Sequence, residues 1–264
     1  MTSSNTPWTL TSHLLSTNVN KFTRATQSPF LRLAASGKLS KPVISQWLAN
    51  DRLYMLGYIR LAGELLRILK LPGKPTPSKD AGVIEVRLLD WLVDALVNIR
   101  REERFFMDVA ERFGLDVDIT TSDGVVAEEK KVEGLKRFEN LFNSLTTAQP
   151  PSFLPWLEGL VVFWATEKVY FEAWSWAKRK AEESGEASSD ASKDEDGGAM
   201  RKEFIPNWTN EEFIKFVNTL EKIVNEGVQE AIGGDESLKR QVVERATTRW
   251  KELLDAEEGF WPKV

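Results

Sequence analysis

Residues 153–183 read FLPWLEGLVVFWATEKVYFEAWSWAKRKAEE. Trp156, Phe163, Trp164, Tyr170, Phe171, Trp174 and Trp176 fall on more than one side of a 3.6-residue period, so this helix is expected to be buried on most of its surface. Only its end, residues 178–183, has the charge density of a solvated turn. A helix apolar nearly all round needs other helices to surround it, and the rest of the chain supplies them.

Downstream, residues 184–199 (SGEASSDASKDEDGGA) have almost no apolar content and read as a flexible acidic insertion between two helical blocks. Thr209 with Glu212 has the spacing of a capping box for a helix closing near Gly233 and Gly234, and Asp235 caps a last helix running to about Gly259. Upstream, residues 128–145 form a shorter amphipathic helix stopped by Pro150 and Pro151, and Ser152 stands where a cap for the aromatic helix belongs. Residues 115–127 are loop-like. A long helix runs from about Ala81 to Phe113, with Gly114 just past its end. Pro72, Gly73, Pro75 and Pro77 turn the chain before it, and a further long helix spans 40–71, with Ser40 as its cap and Pro42 in its first turn. Trp8, Leu14, Leu15, Val19 and Phe22 give a core-facing stripe near the start. The pattern is all-α throughout, with no strand signal and no internal repeat.

Composition narrows the function. The chain has 264 residues, 42% hydrophobic and 28% charged, enough for one large core, so a single domain over 1–264 is expected. Ten Trp and fourteen Phe accompany only three Tyr, more flat apolar surface than a helical core needs. The absence of Cys excludes disulfides, thiolate metal sites and a cysteine nucleophile, and the single His excludes sites built from several imidazoles. No metal and no cofactor is therefore expected. His13, the one conceivable haem ligand, sits among Ser and Thr and reads as a solvated residue. A net charge of -5 and a pI near 5.3 argue against nucleic acid as a partner. No apolar run approaches the ~20 residues that span a bilayer. The Ser/Thr-rich start, free of acids before Asp51, has the composition of a mitochondrial presequence, but its core-facing stripe argues for a folded helix and a cytoplasmic protein.

Two stripes could carry chemistry. Trp47, Asp51, Tyr54 and Tyr58 stand at i, i+4, i+7 and i+11, an acid among three aromatics. Either Asp51 pairs with a nearby Arg on a half-exposed face, or it accepts N–H groups from a ligand held between rings. Trp164, Glu167, Lys168 and Phe171 share a second stripe, read first as an internal salt bridge and alternatively as a functional carboxylate among rings. Near the end of the chain, Glu257, Phe260 and Trp261 form E-x-x-F-W.

Taken together, Ser28-Pro29-Phe30-Leu31, Ser36-Gly37-Lys38-Leu39, Gln46-Trp47-Leu48-Ala49-Asn50-Asp51-Arg52-Leu53-Tyr54 and the closing Glu257-x-x-Phe260-Trp261 resemble the TenA (thiaminase II) family, whose chains open on a PF pair, a G-x-L step and a D-x-x-Y helix. Residues 138–170 and Trp208 follow that family's order of elements. The resemblance implies a haem-oxygenase-like helical bundle, a homo-oligomer, and hydrolysis of thiamine or of an aminopyrimidine breakdown product in thiamine salvage. In that site Asp51 would grip the amidine edge, Tyr54 would line the pocket, Glu257 would transfer protons and Phe260 would pack on the ring. Glu167 is a reserve for activating water. The family's ring-stacking Tyr would correspond to Phe138 or Phe142, and Trp47 and Trp164 complete the expected aromatic lining. Where family members carry a cysteine, two residues before Trp164, this chain has Val162, so it resembles the branch without that thiol. Such a chain could also be a non-catalytic protein that binds a small planar heterocycle.

Overall fold

A computed structural model describes residues 7–73 and 83–264. Ten α-helices are found there: α1 (Leu10–Ser16), α2 (Val19–Thr26), α3 (Pro29–Ala35), α4 (Lys41–Ile68), α5 (Ile84–Phe113), α6 (Glu133–Thr147), α7 (Leu157–Glu183), α8 (Ile205–Asn207), α9 (Glu211–Ile232) and α10 (Glu236–Glu258). Among the described residues there is no strand beyond one isolated bridge between Thr120 and Val126. Pro75, Pro77 and the expected start at Ala81 lie outside the described residues.

Local chemistry accounts for most boundaries. Ser28 accepts from the Leu31 amide with Pro29 in the first helical turn, and Asp235 accepts from the Ser237 and Leu238 amides. Gly114 and Gly233 close α5 and α9 in the left-handed conformation, at φ 64° and 51°. Three boundaries differ from the sequence expectation. The cap of α9 is Asn210, which accepts from the Phe213 amide, while the Thr209 hydroxyl donates back to the Ile205 carbonyl. Ser152 caps nothing, because Arg245 draws the Phe153 and Leu154 carbonyls outward and Leu154 takes φ 47°, delaying α7 to Leu157. The N-terminal stripe is two helices, broken where Asn18 adopts φ 53°, and the break leaves Val19 on the surface.

Six helices form a closed ring, because α4 packs on α5, α5 on α9, α9 on α7, α7 on α10, α10 on α6, and α6 on α4. Across this ring α4 and α7 face each other. The seam between α6 and α10 is close, since the Gly134 amide donates to the Gly259 carbonyl at 2.8 Å. A Cβ on Gly134 would stand 2.3 Å from the Ala256 carbonyl oxygen, so only glycine admits this approach. α7 also carries α2 and α3 on its outer side, and Trp164 and Trp174, both without exposed surface, anchor it in the core.

The segment 184–199 is not the free acidic loop that its composition suggests. It makes two 3-10 turns, Glu186–Ser188 and Ala191–Lys193, and a π-helical turn, Met200–Phe204, follows it. Asp196 is fully buried, accepting from the Gly198 and Met200 amides at 2.8 Å each. Asp194 holds Arg201 in a two-pronged ion pair whose side chains are 6% exposed. Asp194 also sits over Gly37, where φ is 65° and a Cβ would collide with its carboxyl group. Composition counts these acids as solvated. The cation that draws them inward, Arg201, lies just beyond the segment. Replacing Arg201 by Ala leaves Asp194 buried and unpaired, and is expected to cost ~3 to 5 kcal/mol in chemical denaturation. A loss under ~0.5 kcal/mol would mean that the segment does not depend on this pair.

Candidate functional site

Every helix of the ring sends side chains to its axis. A cavity there is lined by Asp51, Tyr54, Met55 and Tyr58 of α4, Ile99 and Glu102 of α5, Phe138 of α6, Thr166, Glu167 and Tyr170 of α7, Phe213 of α9 and Glu257 of α10, with Trp208 from the turn before α9 and Phe260 from the turn after α10. Residues from opposite ends of the chain meet in it, because α10 lies against both α6 and α7.

All three tyrosines of the chain line this cavity, and each hydroxyl is used. Tyr170 donates to Asp51 Oδ2 at 2.5 Å, Tyr58 donates to Glu167 Oε1 at 2.7 Å, and Tyr54 donates to Thr166 Oγ1 at 3.1 Å. The Thr166 hydroxyl in turn donates to the Val162 carbonyl oxygen. The Trp208 indole N–H donates to Glu102 Oε1. Among the described residues no donor reaches the carboxyl group of Glu257, which is 3% exposed. The apolar side is a cluster of edge-to-face rings: Phe138 lies 4.9 Å from Tyr54 and 5.8 Å from Phe260.

Four carboxyl groups thus share a small space in which no lysine or arginine lines the wall, and no ion pair reaches any of them among the described residues. Removing a carboxylate from water without a compensating cation favours its protonated form. Burial raises Asp51 to about 7, against the partial opposition of the Tyr170 hydrogen bond, and raises Glu167 to about 7 against that of Tyr58. Glu102 rises to about 8, through burial and then the charges of Asp51 and Glu167. Glu257 is pushed well above the ordinary carboxylate range by burial and by the same two neighbours. The cavity is therefore built to receive positive charge and N–H groups, with flat rings to hold a planar ligand.

Asp51, Tyr54, Phe138, Glu167, Glu257 and Phe260, each expected from sequence to contribute, come together at this cavity. Trp47 and Trp164 do not. Trp47 points in the same direction from α4 but one turn too far along, among Phe30, Phe106, Trp174, Phe204 and Trp208, so it supports the wall from behind. Trp164 is turned about a third of a revolution from the cavity-facing residues of α7. Its indole donates to Glu221 and its ring lies 5.6 Å from Trp250. Asp51 takes its hydrogen bond from Tyr170 rather than from an Arg, and Lys168 pairs with Glu172 rather than closing a bridge to Glu167. Phe142 stands behind Tyr54, at 5.7 Å. His13 lies beside Trp8, away from the cavity.

Tyr170 and Glu102 were not expected as site residues, although the sequence carries a signal for each. In a chain with fourteen Phe, a Tyr marks a ring whose hydroxyl has work to do. Glu102 is an acid on the inward stripe of α5, three residues after Ile99 and four before Phe106, both buried.

This combination defines a class of α-bundle, a closed helical ring around an acid-lined, aromatic cavity. No family model matches the chain. It is 26% identical over 281 residues to a protein of Fusarium pseudograminearum described as "Probable transcription factor", covering 96% of this chain and 53% of that one, so the chain spans about half the length of this relative. It is 24% identical over 238 residues to the "Probable bifunctional TENA-E protein" of Glycine max, covering 90% of this chain and 85% of that protein. A solved TenA homologue from Pyrococcus furiosus superposes with a TM-score of 0.67 at 22% identity, over 96% of this chain and 98% of that one. A TenA family transcription regulator from Silicibacter sp. TM1040 superposes at 0.65 with 11% identity, over 98% of this chain and 100% of the other. The fold is the haem-oxygenase-like, all-α fold of the TenA homologues, and the chain is TenA-like.

The raised carboxyls have a consequence for stability. Asp51, Glu102 and Glu167 keep their protons when folded at pH values where the unfolded chain has released them. The folded state then binds more protons, and the unfolding free energy falls as pH rises. The fall is expected between about pH 4.5, near the unfolded carboxyl range, and about pH 8, where the folded groups ionise. Urea titrations across that interval should show the decline, and Asp51→Asn should flatten it. Stability that rises over the same interval would mean that these acids are neutralised by a partner.

Proposed function

We propose that the protein hydrolyses an aminopyrimidine, either thiamine or one of its breakdown products, in thiamine salvage. The observation that carries this reading is that Asp51 and Glu257 line one cavity where, among the described residues, the first has a carboxyl oxygen that accepts no hydrogen bond and the second has no protein donor. The TenA-like fold and the name of the Glycine max relative support it.

The chemistry follows from the side chains. The pyrimidine lies among Phe138, Phe260 and Tyr54, and its amidine edge donates to Asp51, which Tyr170 holds in orientation. Glu167, steadied by Tyr58, takes a proton from water. That water forms a C–O bond to the methylene carbon beside the ring while the exocyclic C–N bond breaks. The thiazole of thiamine leaves as a neutral base and takes no proton, whereas the amine of an aminomethyl substrate takes one from Glu257 as it departs. In that second case one acid gains a proton and the other loses one, a division of labour that suits carboxyls raised toward neutrality. The Tyr54, Tyr58 and Tyr170 phenols are held protonated by burial and the nearby carboxylates, so they act as donors and ring faces.

A second reading, a protein that binds the heterocycle without turning it over, is favoured by Val162. The resemblance matches this residue to the family cysteine, and it is buried in the core and does not line the cavity. The two readings separate in one experiment, in which calorimetry with an aminopyrimidine is paired with a hydrolysis assay on thiamine and on its amino-aminomethyl-pyrimidine product. Asp51→Asn is expected to weaken binding by ~1.5 to 3 kcal/mol, because an amide has one acceptor oxygen where the carboxylate has two. Glu257→Gln is expected to abolish turnover while sparing affinity. Wild-type binding without turnover establishes the binding protein, and the absence of binding rejects both readings.

A further inference from the structure

The axial cavity does not end at Glu102. A second chamber adjoins it in the seam between α5 and α9, and the two share Tyr58, Ile99, Glu102, Glu167, Trp208 and Phe213 in their walls. Beyond that shared wall the lining turns polar, with Asn98, Asn207, Asn210 and the ion pair of Arg101 with Glu212. A ligand confined to the planar slot would leave this chamber unused.

Glu102 faces both spaces, and its surroundings fix it there. The Trp208 indole holds Oε1, and Trp208 is itself clamped between Trp174, stacked at 5.1 Å, and Phe204, stacked at 5.7 Å. The other oxygen has no protein donor among the described residues. The nearest cation along the chain, Arg101, is turned outward: its guanidinium reaches Asn98 Oδ1 at 3.2 Å and Glu212 Oε1 at 3.3 Å. A rigidly held carboxyl group that the protein itself does not neutralise, flanked by the rings of Tyr58 and Phe213, is a recognition element for a cation. The hydrolytic scheme above has no task for it.

We propose that Glu102 is a specificity residue, selecting ligands whose planar ring carries an ammonium group on a short arm that passes from the axial cavity into the adjoining chamber. The inference rests on the reading of the axial cavity as a heterocycle site and adds the residue that reads charge beyond the ring. It carries a proton signature. The groups facing Glu102 are Asp51 and Tyr58 from α4, Glu167 from α7 and Trp208, with the Arg101–Glu212 pair at the rim. Burial, then the charges of Asp51 and Glu167, raise Glu102 to about 8, against the Trp208 hydrogen bond and Arg101, which lower it. At neutral pH most of Glu102 is protonated, so an arriving ammonium group must displace a proton.

The test compares two probes on the whole protein at pH 7 by calorimetry, in buffers of different ionisation heat. Both are 2-methyl-4-aminopyrimidines. One carries a neutral hydroxymethyl arm. The other carries an aminoethyl arm, whose C–N bond is one carbon removed from the ring and is not labilised by it. Wild type is expected to prefer the ammonium probe about tenfold or more, the scale of one charge-assisted hydrogen bond, and to release protons on binding it. Glu102→Gln keeps the acceptor for the Trp208 indole, so the fold is retained, and should bring the preference close to one and reduce the proton release. Glu102→Asp, which keeps the charge and draws it back by one carbon, should retain the proton release. If wild type binds both probes alike, or if Glu102→Gln keeps the preference and the proton release of wild type, the role of Glu102 is refuted while the heterocycle site stands. If wild type binds neither probe, the heterocycle reading itself falls, and this proposal with it.

Discussion

Four carboxyl groups gathered on the axis of a helical ring, with no cation among the residues that line it, form the constraint from which the rest of this architecture follows. Desolvating a carboxyl group is costly, and the protein meets the cost with hydroxyl and indole donors instead of salt bridges. Tyr170 serves Asp51, Tyr58 serves Glu167 and Trp208 serves Glu102, while Glu257 is left to whatever enters. Neutral donors hold an acid in place without cancelling its appetite for positive charge. An arginine in the same position would have made the site stable and inert.

The aromatic excess serves that arrangement. Trp47, Trp174, Trp208 and Phe204 form a packed wall behind the cavity, so the acids are mounted on rings that have little freedom to move. On the opposite side Phe138 and Phe260 are brought into edge-to-face contact by the close approach of α6 and α10, which Gly134 permits. A close backbone approach therefore lies at the α6–α10 seam, beside Glu257 and Phe260, two of the residues that line the cavity.

The folded acidic segment obeys the same economy. Asp194 and Asp196, which could have stayed in water, are drawn inward because Arg201 and two unsatisfied amides offer them partners. Here a cation is provided and the acids become structural. At the ring axis it is withheld and the acids stay available. Whether a buried carboxyl group in this molecule is tied to a cation or left without one is decided by what stands opposite it.

The sequence by itself determined the helices and the direction of their inward faces. Period, glycine closures and an Asp cap are local properties, and the stripe of Asp51, Tyr54 and Tyr58 is a rotation along one helix. It also carried, through the resemblance of its two ends to TenA proteins, the expectation that Asp51 and Glu257 belong together. Tertiary structure alone decided depth and partnership. Trp47 lies on the correct face yet one turn beyond the cavity, since the height at which a ring of helices opens is set by how all six pack and not by any one of them. Trp164 turned toward α9 and α10 because its indole N–H found Glu221 there. Tyr170 became the donor to Asp51, and Glu102 the link between two chambers, for the same reason: a side chain on one helix cannot signal which donor or cavity the neighbouring helix will bring to it. Hydrogen bonding and desolvation act between elements, and that is where the chemistry of this site was settled.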